Sequence, residues 1–297
     1  MLNYSMNVVS FYERILIHSS PSGFIIKCIL PCIHTNFDLL RYTIPYHSSN
    51  FIRRCLGVKL MIVTNAAGGL NEKYNVGDIV SVQDYLALPM LAGKNPLIGP
   101  NDDELGPRFP PTSNAFDKAL QDTVMASATT LGMNDFMRTD GTYCFVSGPM
   151  YESRAECKFL RSLGGDCVGM STVPEIVAAH HSGMKVICLS LITNKVVVHG
   201  DEGPPASHEE VLEAVVTRSV QIQGLVKDIV ISLKSSGALD AMPDLPPINL
   251  GDDDDDTSEK KKFSMCPHMM MKSIPLHCWY MGFGALAIGS IMSKTRR

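Results

Sequence analysis

Val58–Gly69 reads VKLMIVTNAAGG, and the reading of its two halves decides the fold. Val58, Leu60, Met61, Ile62, Val63 and Thr64 make the apolar, β-branched run expected of a strand buried on both faces, as in a parallel sheet. The run gives way at Asn65-Ala66-Ala67-Gly68-Gly69, where every side chain after the Asn is a methyl group or a hydrogen. The pattern predicts a loop of minimal side chains at the carboxyl end of the strand. Open α/β sheets place ligands at such ends, because backbone N–H groups there can approach an anion or a flat ring. A tight turn that needs glycine accounts for an isolated Gly-Gly equally well. The stretch matches neither the Walker pattern nor G-x-G-x-x-G, so alone it marks a place and no ligand.

The 297 residues suffice for one large α/β domain or two small ones, with 45% apolar and 19% charged residues. A net charge of −4 spread along the chain argues against nucleic acid as the main partner. Nine cysteines, an odd number without a regular framework, fit a reducing, cytoplasmic setting. Glu13 and Arg14 precede any apolar run, and no small-residue cleavage site follows, so no secretory signal is expected.

Outward from the opening strand, strands and helices alternate. Val76–Val82 is a second candidate strand, followed by a long Pro-, Asn- and Gly-rich loop over Leu88–Pro111 of the kind that is functional or packs on a neighbour. Phe116–Leu131 is a predicted helix stopped by Gly132. Tyr143–Ser147 is a strand turned by Gly148-Pro149 into a helix from about Glu152 to Leu163. Cys167–Met170 is a short strand, Val173–Ser182 a helix opened by Pro174, and Lys185–Thr193 another buried strand. Ser207 and Glu210 form a candidate capping box ahead of a long helix reaching Leu233. The expected class is α/β: a mixed, largely parallel central sheet flanked by helices.

Four polar positions stand at strand ends: Asn65, Glu152 just past its turn, Ser171 and Asn194. They are expected to converge on one edge of the sheet and form one site. A Glu152 carboxylate and an Asn194 amide, one donor and one acceptor in a plane, suit a heterocycle that presents both N–H and C=O, such as a 6-oxopurine. Ser171 and the Asn65–Gly68 amides offer neutral donors to an anion. Tyr151 offers a ring for stacking, and His208 an imidazole within reach of a sugar hydroxyl. Taken singly, each has a plainer explanation: Glu152 as a first-turn carboxylate, Asn194 as a turn residue, Ser171 as a cap, His208 as a surface imidazole.

VTNAAGGLN (63–71), NPLIGPND (95–102), GPMYESRAE (148–156), GMSTVPE (169–175) and LITNKV (191–196), in this order, resemble the trimeric purine nucleoside phosphorylases over about Leu56 to Leu233. The resemblance implies a nucleoside phosphorylase-like fold. It also implies reversible phosphorolysis of 6-oxopurine ribonucleosides (inosine, guanosine) to free base and ribose 1-phosphate, without metal or organic cofactor, by a cytoplasmic homotrimer. It assigns Asn65, Ala66 and Ser171 to phosphate, Met170 to the ribose pocket and His208 to the ribose 5′-hydroxyl. Glu152 and Asn194 become the catalytic pair that holds the purine, with Tyr151 packing nearby. Phe109 becomes the aromatic lent to the adjacent subunit's site. Asn194 points to 6-oxopurines, because the related methylthioadenosine phosphorylases carry Asp there.

The resemblance divides the chain into an atypical segment over 1–54, a phosphorylase-like α/β domain over 55–236 and an extension over 237–297. The family's Gly-Ser-Gly-type phosphate loop and Arg-x-His segment do not occur in residues 1–55, where Arg53 and Arg54 are adjacent cations. Neutral donors alone should bind phosphate weakly. The alternative is therefore a purine-binding relative with impaired catalysis that serves as an oligomer subunit, with a membrane tether through its tail as an option. Cys28, Cys32 and His34 read as ordinary thiols and imidazole, not as zinc ligands. In the extension, Asp252–Asp256 and Lys260–Lys262 read as solvated charge runs. Ile274–Met292, free of formal charge, reads as an unstructured extension in preference to a membrane anchor. Cys266, His268, His277 and Cys278 lack a metal-ligand spacing.

Overall fold

A computed structural model describes residues 57–198 and 208–244, together with the strand Ile15–Ile17. The chain divides into two units, Met1–Pro247 and Ile248–Arg297, and everything described falls in the first. Arg53, Arg54, the Cys28/Cys32/His34 group, the Ser207–Glu210 box, the acidic run and Ile274–Met292 all lie outside the described residues or side chains.

The elements are β1 (Ile15–Ile17), β2 (Leu60–Gly69), β3 (Ile79–Ala87), α1 (Leu88–Leu91), α2 (Lys118–Thr130), β4 (Met137–Phe145), α3 (Arg154–Ser162), β5 (Cys167–Gly169), α4 (Val173–His181), β6 (Lys185–Lys195), α5 (His208–Ser235) and α6 (Ala238–Ala241). The expected α/β class with a mixed sheet stands. The sheet does not stay open, however: β2, β5, β4, β3 and β6 follow one another in order, and β6 returns to pair with β2. β1 lies antiparallel on the first residues of β2.

The closed sheet has two parallel groups. β2 runs with β6, and β3 runs with β4 and β5. The groups oppose each other at two antiparallel seams, β2–β5 and β3–β6. The strand ends therefore do not leave one edge in a common direction, as a simple parallel sheet would require. The carboxyl ends of β2 and β5 instead run past each other at Gly68↔Val168 and Gly69↔Cys167.

The apolar runs of β2 and β6 are continuous because both faces are buried. Leu60, Ile62, Ile187, Leu189 and Leu191 face a core shared with α2 and α5. The alternate residues Met61, Val63, Val186, Cys188 and Ile192 face a second core shared with α4. This is the two-residue period of a pleated strand with no solvated side.

Asn65–Gly69 was expected as a loop and is strand. Its small side chains permit a close approach between β2 and its neighbours. A Cβ on Gly68 would lie 3.1 Å from Val196 Cγ1, and one on Gly69 would lie 3.1 Å from Ile192 Cγ2. The β2–β6 register shifts between Ala67 and Gly68, which bends the strand there. Past the expected boundary at 236, the core continues: Leu239 of α6 is buried in the first core, and Lys59 donates to the Met242 carbonyl at 2.9 Å.

Candidate functional site

A cavity of about 360 Å³ opens at the β2–β5 seam, within the usual range for small-ligand sites. Ala66, Ala67 and Gly68 reach it from β2, and Thr193 and Asn194 from β6. Val168 and Gly169 of β5, with Met170 and Ser171 beyond it, line another side, and Pro149, Tyr151 and Glu152 come from the turn after β4. Six of the expected site residues are thus together: Ala66, Tyr151, Glu152, Met170, Ser171 and Asn194.

Asn65 is not a lining residue. Its side chain is buried behind the cavity, and Nδ2 donates to Thr172 Oγ1 at 3.1 Å. The alternation of a strand explains this, since Asn65 and Ala66 point to opposite faces. Phe109 also lies outside the cavity, on the loop before α2, with 87% of its surface exposed and Arg108 stacked on its ring at 5.6 Å. That loop is fastened to α4: the His180 ring nitrogen Nε2 pairs with the Pro111 carbonyl at 2.8 Å, and Gly106 lies where a Cβ would meet the His181 carbonyl. His208 opens α5, whose Val211 lines the cavity; the His208 side chain is not among those described.

The seam is pinned by Asp166, just ahead of β5. Its carboxylate accepts from Asn71 Nδ2 at 2.7 Å and from the Thr142 amide at 2.9 Å, while its carbonyl accepts from Leu70 and Asn71. One residue thereby ties the ends of β2, β4 and β5 together.

Glu152 reaches its place through a turn and a cap. Gly148 has φ +61°, and a Cβ there would lie 2.5 Å from Met170 Sδ, so glycine serves both the turn and the close packing on Met170. Just after Glu152, Ser153 and Glu156 form a capping box that opens α3: the Glu156 amide donates to Ser153 Oγ at 3.3 Å, and the Ser153 amide to Glu156 Oε2 at 2.7 Å. The S-x-x-E signature was present in the sequence and marks the start of this helix. Glu152 Oε1 is buried with no hydrogen-bond partner among the described residues. Burial pushes its carboxyl pKa up, with the nearby Glu156 charge adding to the effect. A buried carboxylate oxygen without a donor is costly, and its position in a cavity wall suits an incoming N–H.

Asn194 is oriented from behind. The single Thr193 hydroxyl proton lies between Asn194 Oδ1, at 3.2 Å from Oγ1, and the Ala67 carbonyl, at 3.4 Å, and the Asn194 amide N–H₂ is the donor turned to a ligand. Nδ2 lies 3.4 Å from where a Gly68 Cβ would be.

On the opposite side, Ser171 precedes α4. Thr172, its N-cap, adopts φ +78°, a strained conformation for a β-branched residue. The amino end of α4 carries the positive end of the helix dipole, which favours a nearby anion. None of the described residues lining the cavity is Arg, Lys or His. Thr193, Thr172 and Val168 were not singled out from the sequence. Only their adjacency to Asn194, Ser171 and Gly169 could have drawn attention to them.

Among the described residues, no three of His, Cys, Asp and Glu stand where they could share a metal ion. No described helix is long and apolar enough to cross a membrane. The Cys266/His268/His277/Cys278 group and Ile274–Met292 lie outside both statements.

Residues 46–231 match the model of the Phosphorylase superfamily. The chain is 44% identical to a purine nucleoside phosphorylase of Bos taurus over 184 residues, covering 62% of this chain and 63% of that protein. It is 47% identical to a purine nucleoside phosphorylase of Saccharomyces cerevisiae over 180 residues, covering 57% and 58% of the two chains. Among solved structures, Schistosoma mansoni purine nucleoside phosphorylase in complex with inosine superposes with a TM-score of 0.65 at 35% identity, covering 72% of this chain and 75% of that one. The chain spans less than two thirds of the length of these two curated relatives.

Proposed function

The chain belongs to the Phosphorylase superfamily, and from that premise we propose that it catalyses reversible phosphorolysis of 6-oxopurine ribonucleosides, giving free base and ribose 1-phosphate. The observation that carries this reading is that one cavity holds Glu152 and Asn194 together with Ala66 and Ser171. The relatives' names and the inosine complex of the Schistosoma mansoni protein support it.

The geometry suits the chemistry. Cleaving the bond from ribose to base builds positive charge on the sugar and negative charge on the departing purine. A phosphate held by the Ser171 hydroxyl, the Ala66 backbone and the amino end of α4 stabilises the first. The Asn194 amide, donating to the purine N7, stabilises the second, and the Glu152 carboxylate accepts from the ring N–H on the other rim. Donors fixed in advance where charge appears are the largest common source of rate enhancement. Met170 borders the sugar, Tyr151 packs nearby, and His208 at the start of α5 takes the ribose 5′-hydroxyl. Phe109, exposed on its tethered loop, contributes to the site of an adjacent subunit in a homotrimer. The cytoplasm is the compartment that the odd cysteine count fits.

A second reading, a purine-binding subunit with weak catalysis, is favoured by the lack of a cation among the described lining residues. Purified full-length protein supplied with inosine separates the two. Hypoxanthine release that depends on phosphate supports the first reading. Inosine binding with no release in phosphate overturns it and supports the second.

A further inference from the structure

The cavity opens where β2 and β5 part. Their ladder is two pairs long, Gly68↔Val168 and Gly69↔Cys167, and β5 ends at Gly169. Ala66 on one wall and Ser171 on the other therefore lie beyond the last pair, where the β2–β5 ladder does not fix their separation. A side chain crosses behind them instead. Asn65, 1% exposed, donates through Nδ2 to Thr172 Oγ1 at 3.1 Å, and the same Nδ2 lies 3.8 Å from Cys188 Sγ on β6. Thr172 Oγ1 in turn lies 3.1 Å from Ser171 Oγ. Asn65 directly precedes Ala66, and Thr172 directly follows Ser171. One buried hydrogen bond thus joins the two walls immediately behind the residues that line them.

Thr172 needs such a hold. It sits at φ +78° and ψ −47°, and the Val173 amide donates back to the Ser171 carbonyl at 2.9 Å. This is a γ-turn of the rare, strained hand, with a β-branched residue at its centre. A backbone of this kind persists only where the surrounding contacts over-determine it. The turn also governs what its wall presents. Val173 spends its amide inside the turn and Pro174 has no N–H, so this wall relies the more on Ser171 as a donor. We infer that Asn65 is a positioning residue, a strut that holds Thr172 in its γ-turn and so sets the distance between Ser171 and Ala66 across the cavity. This rests on the assignment of that pair to phosphate. It gives the buried Asn65 a part in anion binding without contact with the anion, exerted through the opposite wall.

The test is a cycle of Asn65→Ala, Thr172→Val and the double variant in the full-length protein, with the Kd of inorganic phosphate read by titration calorimetry and the KM values of phosphate and inosine read alongside. Thr172→Val keeps the branched side chain and its backbone cost and exchanges only the oxygen for a methyl group, which provides a second route should Asn65→Ala fail to fold. Each single variant is expected to weaken phosphate about 5- to 20-fold, as for the loss of a buried hydrogen bond, with the KM for inosine changed less than about twofold. The double variant is expected to lie within about twofold of the weaker-binding single variant, because both changes remove the same strut. Thr172→Ser, which retains the oxygen, should stay within about twofold of the parent. Effects that multiply in the double variant, an unchanged phosphate Kd in a folded single variant, or equal losses for phosphate and inosine, as general loosening of the cavity would give, overturn the inference. Phosphate binding that shows these effects without inosine turnover refutes phosphorolysis and leaves the strut standing. A parent protein that binds no phosphate overturns both.

Discussion

Replacing Asn194 by alanine is the sharpest test of the site. The residue is 8% exposed, and the Thr193 hydroxyl, 3.2 Å from its carbonyl oxygen, fixes which end of the amide is the donor of protons. In the proposed reaction the acceptor for those protons becomes strongly basic only as the bond to ribose breaks. Removal of such a donor costs about 3–4 kcal/mol of transition-state stabilisation, a loss of roughly 10²–10³ in kcat. Ground-state binding of inosine relies on the same contact far less, so KM should change little. Thr193→Val, which removes the orienting hydroxyl but keeps the amide, should lower kcat by a smaller factor, about 2- to 10-fold, the value of one neutral hydrogen bond. Steady-state phosphorolysis of inosine followed by hypoxanthine formation reads all three proteins. An Asn194→Ala enzyme with unchanged kcat, or with its whole loss in KM, would refute a role confined to the transition state.

Glu152→Gln tests the buried carboxyl. Its folded pKa is raised above the ordinary value of about 4.5, so the folded state holds the proton more tightly and stability falls as pH rises through that raised pKa. The Gln variant should therefore gain in Tm relative to the parent as pH increases above about 4.5, and a constant difference across the range would contradict the shift. Gly148→Ala places a methyl group 2.5 Å from Met170 Sδ at φ +61°; it should destabilise the protein by about 1–3 kcal/mol in urea unfolding and raise the KM for inosine. Leu239→Ala, outside the cavity, should cost about 2–4 kcal/mol of stability while KM is unchanged; a cost below about 0.5 kcal/mol would place α6 outside the cooperative core.

The sequence carried the element types well wherever a strand was buried on both faces, because β2 and β6 show unbroken apolar runs. It began β4 at Tyr143 where the strand begins at Met137, because Arg138 to Thr142 are not apolar, although Arg138, Gly141 and Thr142 pair with β3. It shifted β3 for a related reason: Val76 is exposed, and the strand extends instead through Asp84 and Tyr85. The Asn65–Gly69 error was one of degree, since tiny residues signal close backbone approach whether in a loop or in a strand. The grouping of Glu152, Ser171 and Asn194 was foreseen from strand ends, but its geometric basis was not. Nothing in the local pattern tells that β2 and β6 oppose β3, β4 and β5, because relative strand direction is fixed by pairings distant in sequence. The contact behind Ser171 was hidden for the same reason: Asn65 and Thr172, whose side chains meet at 3.1 Å, are distant in sequence.

Gly68 stands between the two walls of that seam. A methyl group there would lie 3.4 Å from both Asn194 Nδ2 and Val168 Cγ1, and 3.1 Å from Val196 Cγ1. Glu152 and Asn194, to which the proposed reaction assigns the purine, ride on opposed ladders, Asn194 with β6 and Glu152 beyond β4. Their spacing is therefore a matter of how tightly the two ladders nest, independent of either group's own chemistry. In a protein built this way, the gauge of the aperture is set in part by a position in the cavity wall that offers no side chain, and a single added carbon at Gly68 should widen the gap.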